Sequence, residues 1–301
     1  MRATRRFRAA AVSVLSVGVL WSASPATATY STEPVKITFS RIRAQEKSDL
    51  WTARFNGREF RNITDGHPPR AYAGKLSPDR LSLVYLAKKD GNLELFVARA
   101  DGSRPKRITR TPQDELWPNW GPGSGRIIFA RQSITDTDLF TIRVDGKKIH
   151  RLSDNNHDEL YPVFNPFGGA VAFTVIRGGE QDIFVSDPDG RDRRPVTATP
   201  AVETSCDWSP DGSKILLVKE VDGKGDLYTI SPSGANLKAV SKTGRDESYG
   251  YFAPGGRQIA YEAKDGGRVQ IFTMTAAGRN KKQRTRTDFA DNRLQLPPPV
   301  V

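Results

Sequence analysis

Asp207-Trp208-Ser209-Pro210-Asp211-Gly212 decides the fold, because it is the fullest of five echoes of one phrase. The others read Leu76-Ser77-Pro78-Asp79, Trp120-Gly121-Pro122-Gly123, Phe164-Asn165-Pro166 and Phe252-Ala253-Pro254-Gly255-Gly256, so that each proline stands 44 residues after the last. The phrase is a turn: proline presets φ at its second position, and Asp-Gly completes it. A fixed period of this length, with strand-like residues between turns, indicates a β-propeller with one four-stranded blade per repeat.

Working outward from each proline, the apolar triplets Leu83-Val84-Tyr85, Ile127-Ile128-Phe129, Val171-Ala172-Phe173, Ile215-Leu216-Leu217 and Ile259-Ala260-Tyr261 follow at a short, regular distance. Unbroken apolar runs mean strands buried on both faces, as in a blade held between two neighbours. The next strand carries Leu95-Phe96, Leu139-Phe140, Ile183-Phe184, Leu227-Tyr228 and Ile271-Phe272, each preceded by Glu94, Asp138, Asp182, Asp226 or Gln270. A glycine turn comes next, at Gly102, Gly146, Gly190, Gly234 and Gly278, and a last strand ends at Ile108-Thr109, Leu152-Ser153, Val196-Thr197, Val240-Ser241 and Arg284-Thr285.

An incomplete copy precedes the first proline: Ile37-Thr38-Phe39, Leu50-Trp51, Asn56-Gly57 and Ile63-Thr64 supply its last three strands. Its first strand falls within the leader, and Arg293-Leu294-Gln295-Leu296 has the spacing to replace it, since Pro298 stands as far from Thr285 as Pro122 does from Thr109. The expected fold is therefore all-β: a six-bladed propeller of four-stranded antiparallel blades, the first completed by the C-terminal strand so that the ring has no open edge.

Residues 1–28 read as a cleaved signal peptide: Arg2, Arg5, Arg6 and Arg8, an apolar run from Ala9 to Trp21, then Ala26-Thr27-Ala28. Residues 29–301 form a single propeller domain, and no apolar stretch there is long enough to span a membrane. Without the leader the chain carries 42 basic and 34 acidic residues, a net +8, which favours anionic partners such as cell-wall polymers while also serving solubility. Cys206 is the only cysteine, which rules out an internal disulfide. Export and the lack of any nucleic-acid motif exclude nucleic acid as a partner.

The Trp208-Ser209-Pro210-Asp211-Gly212 phrase, the acidic-Ile/Leu-aromatic strand and the Asp-Gly turn before Leu/Ile-Thr resemble the WD40-like (PD40) repeats of TolB-type six-bladed propellers. The resemblance covers nearly all of residues 29–301. It implies the six-bladed fold and, as in the namesake, a periplasmic scaffold that binds protein partners of the Tol-Pal envelope system. TolB carries an α/β domain ahead of its propeller, where only about eight residues lie here between leader and first strand.

Repeats separate scaffold from site: what every blade needs recurs in every blade, whereas a ligand on a pseudo-symmetric ring needs residues that break the symmetry. Glu115, Glu159, Glu203 and Glu247 recur at 44, Asp291 extends the series, and Arg70 stands in the sixth place. They either tie their loops to nearby amides and basic side chains or form an electronegative rim at one channel mouth. Two residues further on lie Trp117, Tyr161, Tyr249 and Arg293, which either stack on a sugar or peptide or pack between blades. His67 and His157 occupy similar connections, and metal binding by them requires a third ligand.

No G-x-S-x-G elbow, H-E-x-x-H helix, P-loop or Cys-x-x-Cys occurs. The sequence is read as a secreted or periplasmic, non-catalytic binding or assembly module. It is expected to be a monomer without cofactor, with a protein or peptide as partner and a cell-envelope polymer as the alternative. The competing reading is an extracellular propeller lyase or hydrolase acting on polysaccharide or peptide at the channel mouth. It would use His67, His157 and the carboxylates.

Overall fold

The apolar triplets are buried on both faces: Leu83, Val84, Tyr85, Ile127, Ile128, Phe129, Ile215, Leu216 and Leu217 are all at most 1% exposed. Successive side chains leave a strand on opposite sides, so both sides of these strands must be covered by neighbouring sheets. The computed structural model supplies those neighbours; it describes residues 18–19, 36–42, 48–65 and 71–285. Six four-stranded antiparallel sheets are arranged as blades, and the first strands of successive blades pack against one another around a shared axis. Blade two, for example, runs outward through Ala71–Leu76, Ser82–Lys89, Asn92–Arg99 and Lys106–Arg107. The six-bladed all-β expectation holds, and a short 3-10 turn at Pro122–Ser124 is the one helical element among the described residues.

Three recurrent features show why these residues make blades. The hydroxyl at the end of each repeat accepts the backbone N–H fourteen residues earlier: Thr64 from Leu50, Thr109 from Leu95, Ser153 from Leu139, Thr197 from Ile183, Ser241 from Leu227 and Thr285 from Ile271, at 2.8–2.9 Å. Each bond secures a short outer strand that has few ladder bonds of its own. Aromatic residues on adjacent strands stack within the blade, as in Tyr85–Phe96 at 5.5 Å and Phe129–Phe140 at 5.8 Å between centroids. The turn glycine also faces the preceding blade: a Cβ on Gly102 (φ +85°) would stand 1.5 Å from the Ile63 carbonyl oxygen, and one on Gly278 (φ +79°) 1.9 Å from that of Val240. Glycine is needed there for approach as well as for turning.

Blade one closes the ring differently. Its second to fourth strands are Lys36–Ile42, Ser48–Arg54 and Arg61–Asn62. The edge beside Lys36–Ile42, assigned from sequence to Arg293–Leu296, is taken by Gly18–Val19, paired as Gly18 with Thr38 and Val19 with Ile37. That segment lies inside the predicted leader, where the first strand of this copy was placed. Residues 293–296 lie outside the described residues. On the other side blade one meets blade six through Phe39, Ala53 and Phe55 against Ala253, Ala260 and Ile271. The Arg284 guanidinium also donates to the Asn56 carbonyl at 3.3 Å. Among the described residues no helix is long and apolar enough to cross a membrane.

Candidate functional site

The first strands of the blades line a central channel, and three levels of it differ in character. At the level where these strands begin, Glu115, Glu159, Glu203 and Glu247 are 0–1% exposed. Arg131 bonds Glu115 at 3.0 Å, Arg193 pairs with Glu159 and Lys219 with Glu203, while Glu247 accepts from Ser241 and, at 2.6 Å, from Thr243. The residue four positions earlier donates to each carboxylate: Thr111 at 3.0 Å, Asn155 at 2.7 Å, Thr199 at 2.5 Å and Thr243. Of the two readings of this series, the contacts are those of loop ties: each of the four buried carboxylates has its own partners, as burial of a charge requires. Burial raises Glu115 above the usual carboxylate range, with Arg131 opposing, and burial raises Glu247 against its two hydroxyl donors. Asp291, Arg70, Arg293 and His67 lie outside the described residues. His157 is exposed on its loop, its N–H bonded to the Asn155 side chain at 2.9 Å, and no group of three or more His, Cys, Asp or Glu side chains able to hold a metal occurs among the described residues.

At mid-channel the structure brings Trp117, Tyr161 and Tyr249 together. Trp117 and Tyr161 stand 4.5 Å apart, Tyr161 and Tyr249 5.9 Å, with the Tyr249 hydroxyl donating to that of Tyr161 at 3.3 Å. All three have positive φ (46°, 54° and 42°), as does Ala73 at 50°, because each first strand carries a bulge at this point. A bulge inserts one residue and re-aims the side chain; here it sends aromatic rings to the axis. Burial pushes the Tyr161 hydroxyl up to about 12 and raises that of Tyr249 well above its ordinary value, so both remain neutral.

Where the first strands end, a pocket of about 70 Å³ opens on the axis among the proline turns. Its wall contains two rings one residue apart in sequence. Leu76, Trp120, Phe164, Trp208 and Phe252 are all 3–8% exposed. The Trp120 indole donates to the Lys75 carbonyl at 2.8 Å and that of Trp208 to the Val163 carbonyl at 3.3 Å, each tying one blade to the next. The preceding position holds Lys75, Asn119, Val163, Asp207 and Tyr251, which are unlike one another and, apart from buried Val163, half-buried. Asp207 accepts the Phe252 N–H at 2.9 Å, and the Lys75 ammonium sits 5.0 Å over the Tyr251 ring. Burial pushes the Asp207 carboxyl up to about 6, with the Phe252 N–H and the Lys75 charge holding it back. Sequence reading missed this set, although its signal was present: five dissimilar residues at the 44-residue period, three positions before each proline.

Comparison with known proteins agrees with this architecture. The PD40 family, described as the TolB beta propeller domain, matches residues 157–298. A stretch of 74 residues is 31% identical to the Tol-Pal system protein TolB of Anaeromyxobacter dehalogenans (strain 2CP-C), covering 25% of this chain and 17% of that protein. Among solved structures, TolB from Acinetobacter baumannii superposes with a TM-score of 0.70 at 18% identity over 82% of this chain and 62% of its own. An oligogalacturonate lyase in complex with manganese superposes with a TM-score of 0.60 at 17% identity over 85% and 75%. At these identities both structures speak to the fold alone.

Proposed function

We propose that this chain, a TolB-like six-bladed β-propeller with PD40 repeats, is an exported, non-catalytic binding module of the cell envelope that takes a protein or peptide on its proline-turn face. The observation that carries the reading is the uneven ring of Lys75, Asn119, Val163, Asp207 and Tyr251 at the channel mouth, on a frame that is otherwise repetitive. Structural need is the same in every blade, so a position that varies from blade to blade is released from it and open to a ligand. The same face carries exposed apolar side chains, Leu81 at 70% and Phe167 at 58%, the kind of residue that anchors a partner. The residues 1–28 leader and the Tol-Pal relative support an envelope location.

Pull-down from envelope extract tests the reading, comparing the native surface with the double variant Leu81→Glu and Phe167→Glu. Loss of the captured protein is the expected result; equal recovery by the variant would remove the proline-turn face as the binding surface. The lyase or hydrolase reading draws on the likeness to the oligogalacturonate lyase. A stoichiometric, tightly held transition metal in the purified protein would move the assignment there.

A further inference from the structure

We propose that the outer rim of blades five, six and one binds a linear polyanion, a flexible polymer of phosphodiester-linked units. It runs along an arc of Lys238, Arg279, Lys281, Lys282, Arg58 and Arg61. This surface lies on the circumference of the ring, apart from the proline-turn face, and adds a ligand distinct from the protein partner.

Broken symmetry is the first argument. The turn before the outermost strand carries Asp101, Asp145 and Asp189 in blades two, three and four, but Asn56, Ser233 and Ala277 in blades one, five and six. From that turn to the end of the repeat, blades five and six contain no acidic residue, and the single one in blade one, Glu59, pairs with Arg54 at 2.5 Å. Half of the circumference mixes both signs, and the other half is almost wholly cationic.

The cations in the second half also differ in what they touch. One basic position recurs on the outermost strand as Arg61, Lys106, Arg194, Lys238 and Lys282, with His150 in blade three. Lys106 donates to the Asp145 carbonyl at 3.1 Å and Arg194 to that of Pro232 at 2.7 Å, each in the turn of the following blade. Those two are interblade ties. The side chains of Lys238, Lys282 and Arg61 are exposed and make no hydrogen bond or ion pair among the described residues. The turns join these blades into one surface: a Cβ on Gly278 would stand 1.9 Å from the Val240 carbonyl oxygen and one on Gly57 2.7 Å from that of Arg284.

Shape selects the ligand. The arc is convex, so a flat membrane meets it only at a tangent, and duplex DNA, stiff over about 50 nm, does not bend around it. Single-stranded nucleic acid calls for aromatic stacking platforms; on these outer turns and strands Phe60 is the exposed ring among the described residues, and it packs edge-on against Phe39. A chain jointed at every unit, with one charge per joint, follows the rim and meets the Lys and Arg heads in turn.

Titration of the intact protein with fluorescently labelled poly(glycerol phosphate) tests this. Saturable binding is expected at low salt, weakening steeply as salt rises. Arg279→Gln with Lys281→Gln and Lys282→Gln lowers the affinity by about ten-fold or more, whereas Lys147→Gln with Lys148→Gln, exposed cations beside Asp145 in blade three, changes it by about two-fold at most. Absence of saturable binding, an equal loss per charge in the blade-three variant, or equally tight binding of polygalacturonate, phosphatidylglycerol vesicles or duplex DNA would overturn the proposal. Leu81→Glu with Phe167→Glu abolishes partner capture but leaves polymer binding intact, so the two readings fail separately.

Discussion

Trp208 and Asp207 are neighbours in sequence, yet the rings they belong to follow opposite rules. The Trp208 ring is apolar in all five described repeats and ties each blade to the next; the Asp207 ring holds a different residue in each repeat. One residue of displacement along a strand moves a side chain from the interblade wall to the axis. Where the frame asks the same of every blade, the sequence repeats; where it asks nothing, a site can be written into it.

The sharpest way to break the comparison is Trp208→Ala. It removes a 3% exposed indole from an interblade cluster, and a loss of about 3–5 kcal/mol in denaturant unfolding is expected; a loss as small as that of a surface substitution would show that the ring is not structural. Next is Arg131→Met, which strands Glu115 without its cation. About 3 kcal/mol is expected to be lost at alkaline pH. The loss shrinks as pH falls, because the buried carboxyl can then take up a proton.

Asp207→Asn acts in the opposite direction. The folded carboxyl, pushed up to about 6, holds its proton more tightly than the unfolded chain does. Stability therefore falls as pH rises from the unfolded value towards 6, and the cost stays in place above that. The substitution is expected to stabilise by about 1–2 kcal/mol at pH near 8, allowing for partial solvation, and by nothing near pH 4. Thermal melts at the two pH values check this, and a gain equal at both would break the link to ionisation. The smallest effect belongs to Leu81→Glu with Phe167→Glu, whose stability should stay within about 0.5 kcal/mol of the parent while partner capture is lost.

The proline period, the paired-face triplets and the terminal Thr or Ser were legible in the sequence because each answers a local need met once per blade. The Glu115 series was equally legible, and tying its loops was one of its two readings, but the individual partners were not identified. The cation for Glu115 comes from the second strand as Arg131 and that for Glu203 from the matching place as Lys219, that for Glu159 comes from just before the last strand as Arg193, and Glu247 is held by Ser241, Thr243 and the Leu227 backbone. The donors four residues earlier, Thr111, Asn155, Thr199 and Thr243, keep the 44-residue period, whereas the cations keep it only in part, at Arg131 and Lys219, so the charge pairing does not read as a repeat. The bulges at Trp117, Tyr161 and Tyr249 were hidden because large residues occupy backbone normally left to glycine. The aromatic convergence on the axis appears only in three dimensions. Asp207 was quoted from the start within the proline phrase, where its matching residues Lys75, Asn119, Val163 and Tyr251 were masked by the more regular residues beside them.

Ring closure between blades six and one has a mechanical consequence. Three of the six buried core residues described at that junction, Ala53, Ala253 and Ala260, are alanines, with Trp51, Tyr251 and Val269 half-buried against them, so among the described residues its fully buried side chains are smaller than the Trp, Phe, Leu and Ile that interlock between blades two and three and between blades three and four. A torus with one thin joint behaves as a split washer, dilating at the gap before any other sector yields. Amide exchange and proteolytic nicking should start beside Phe39 and Ile271 and spread from there around the circumference.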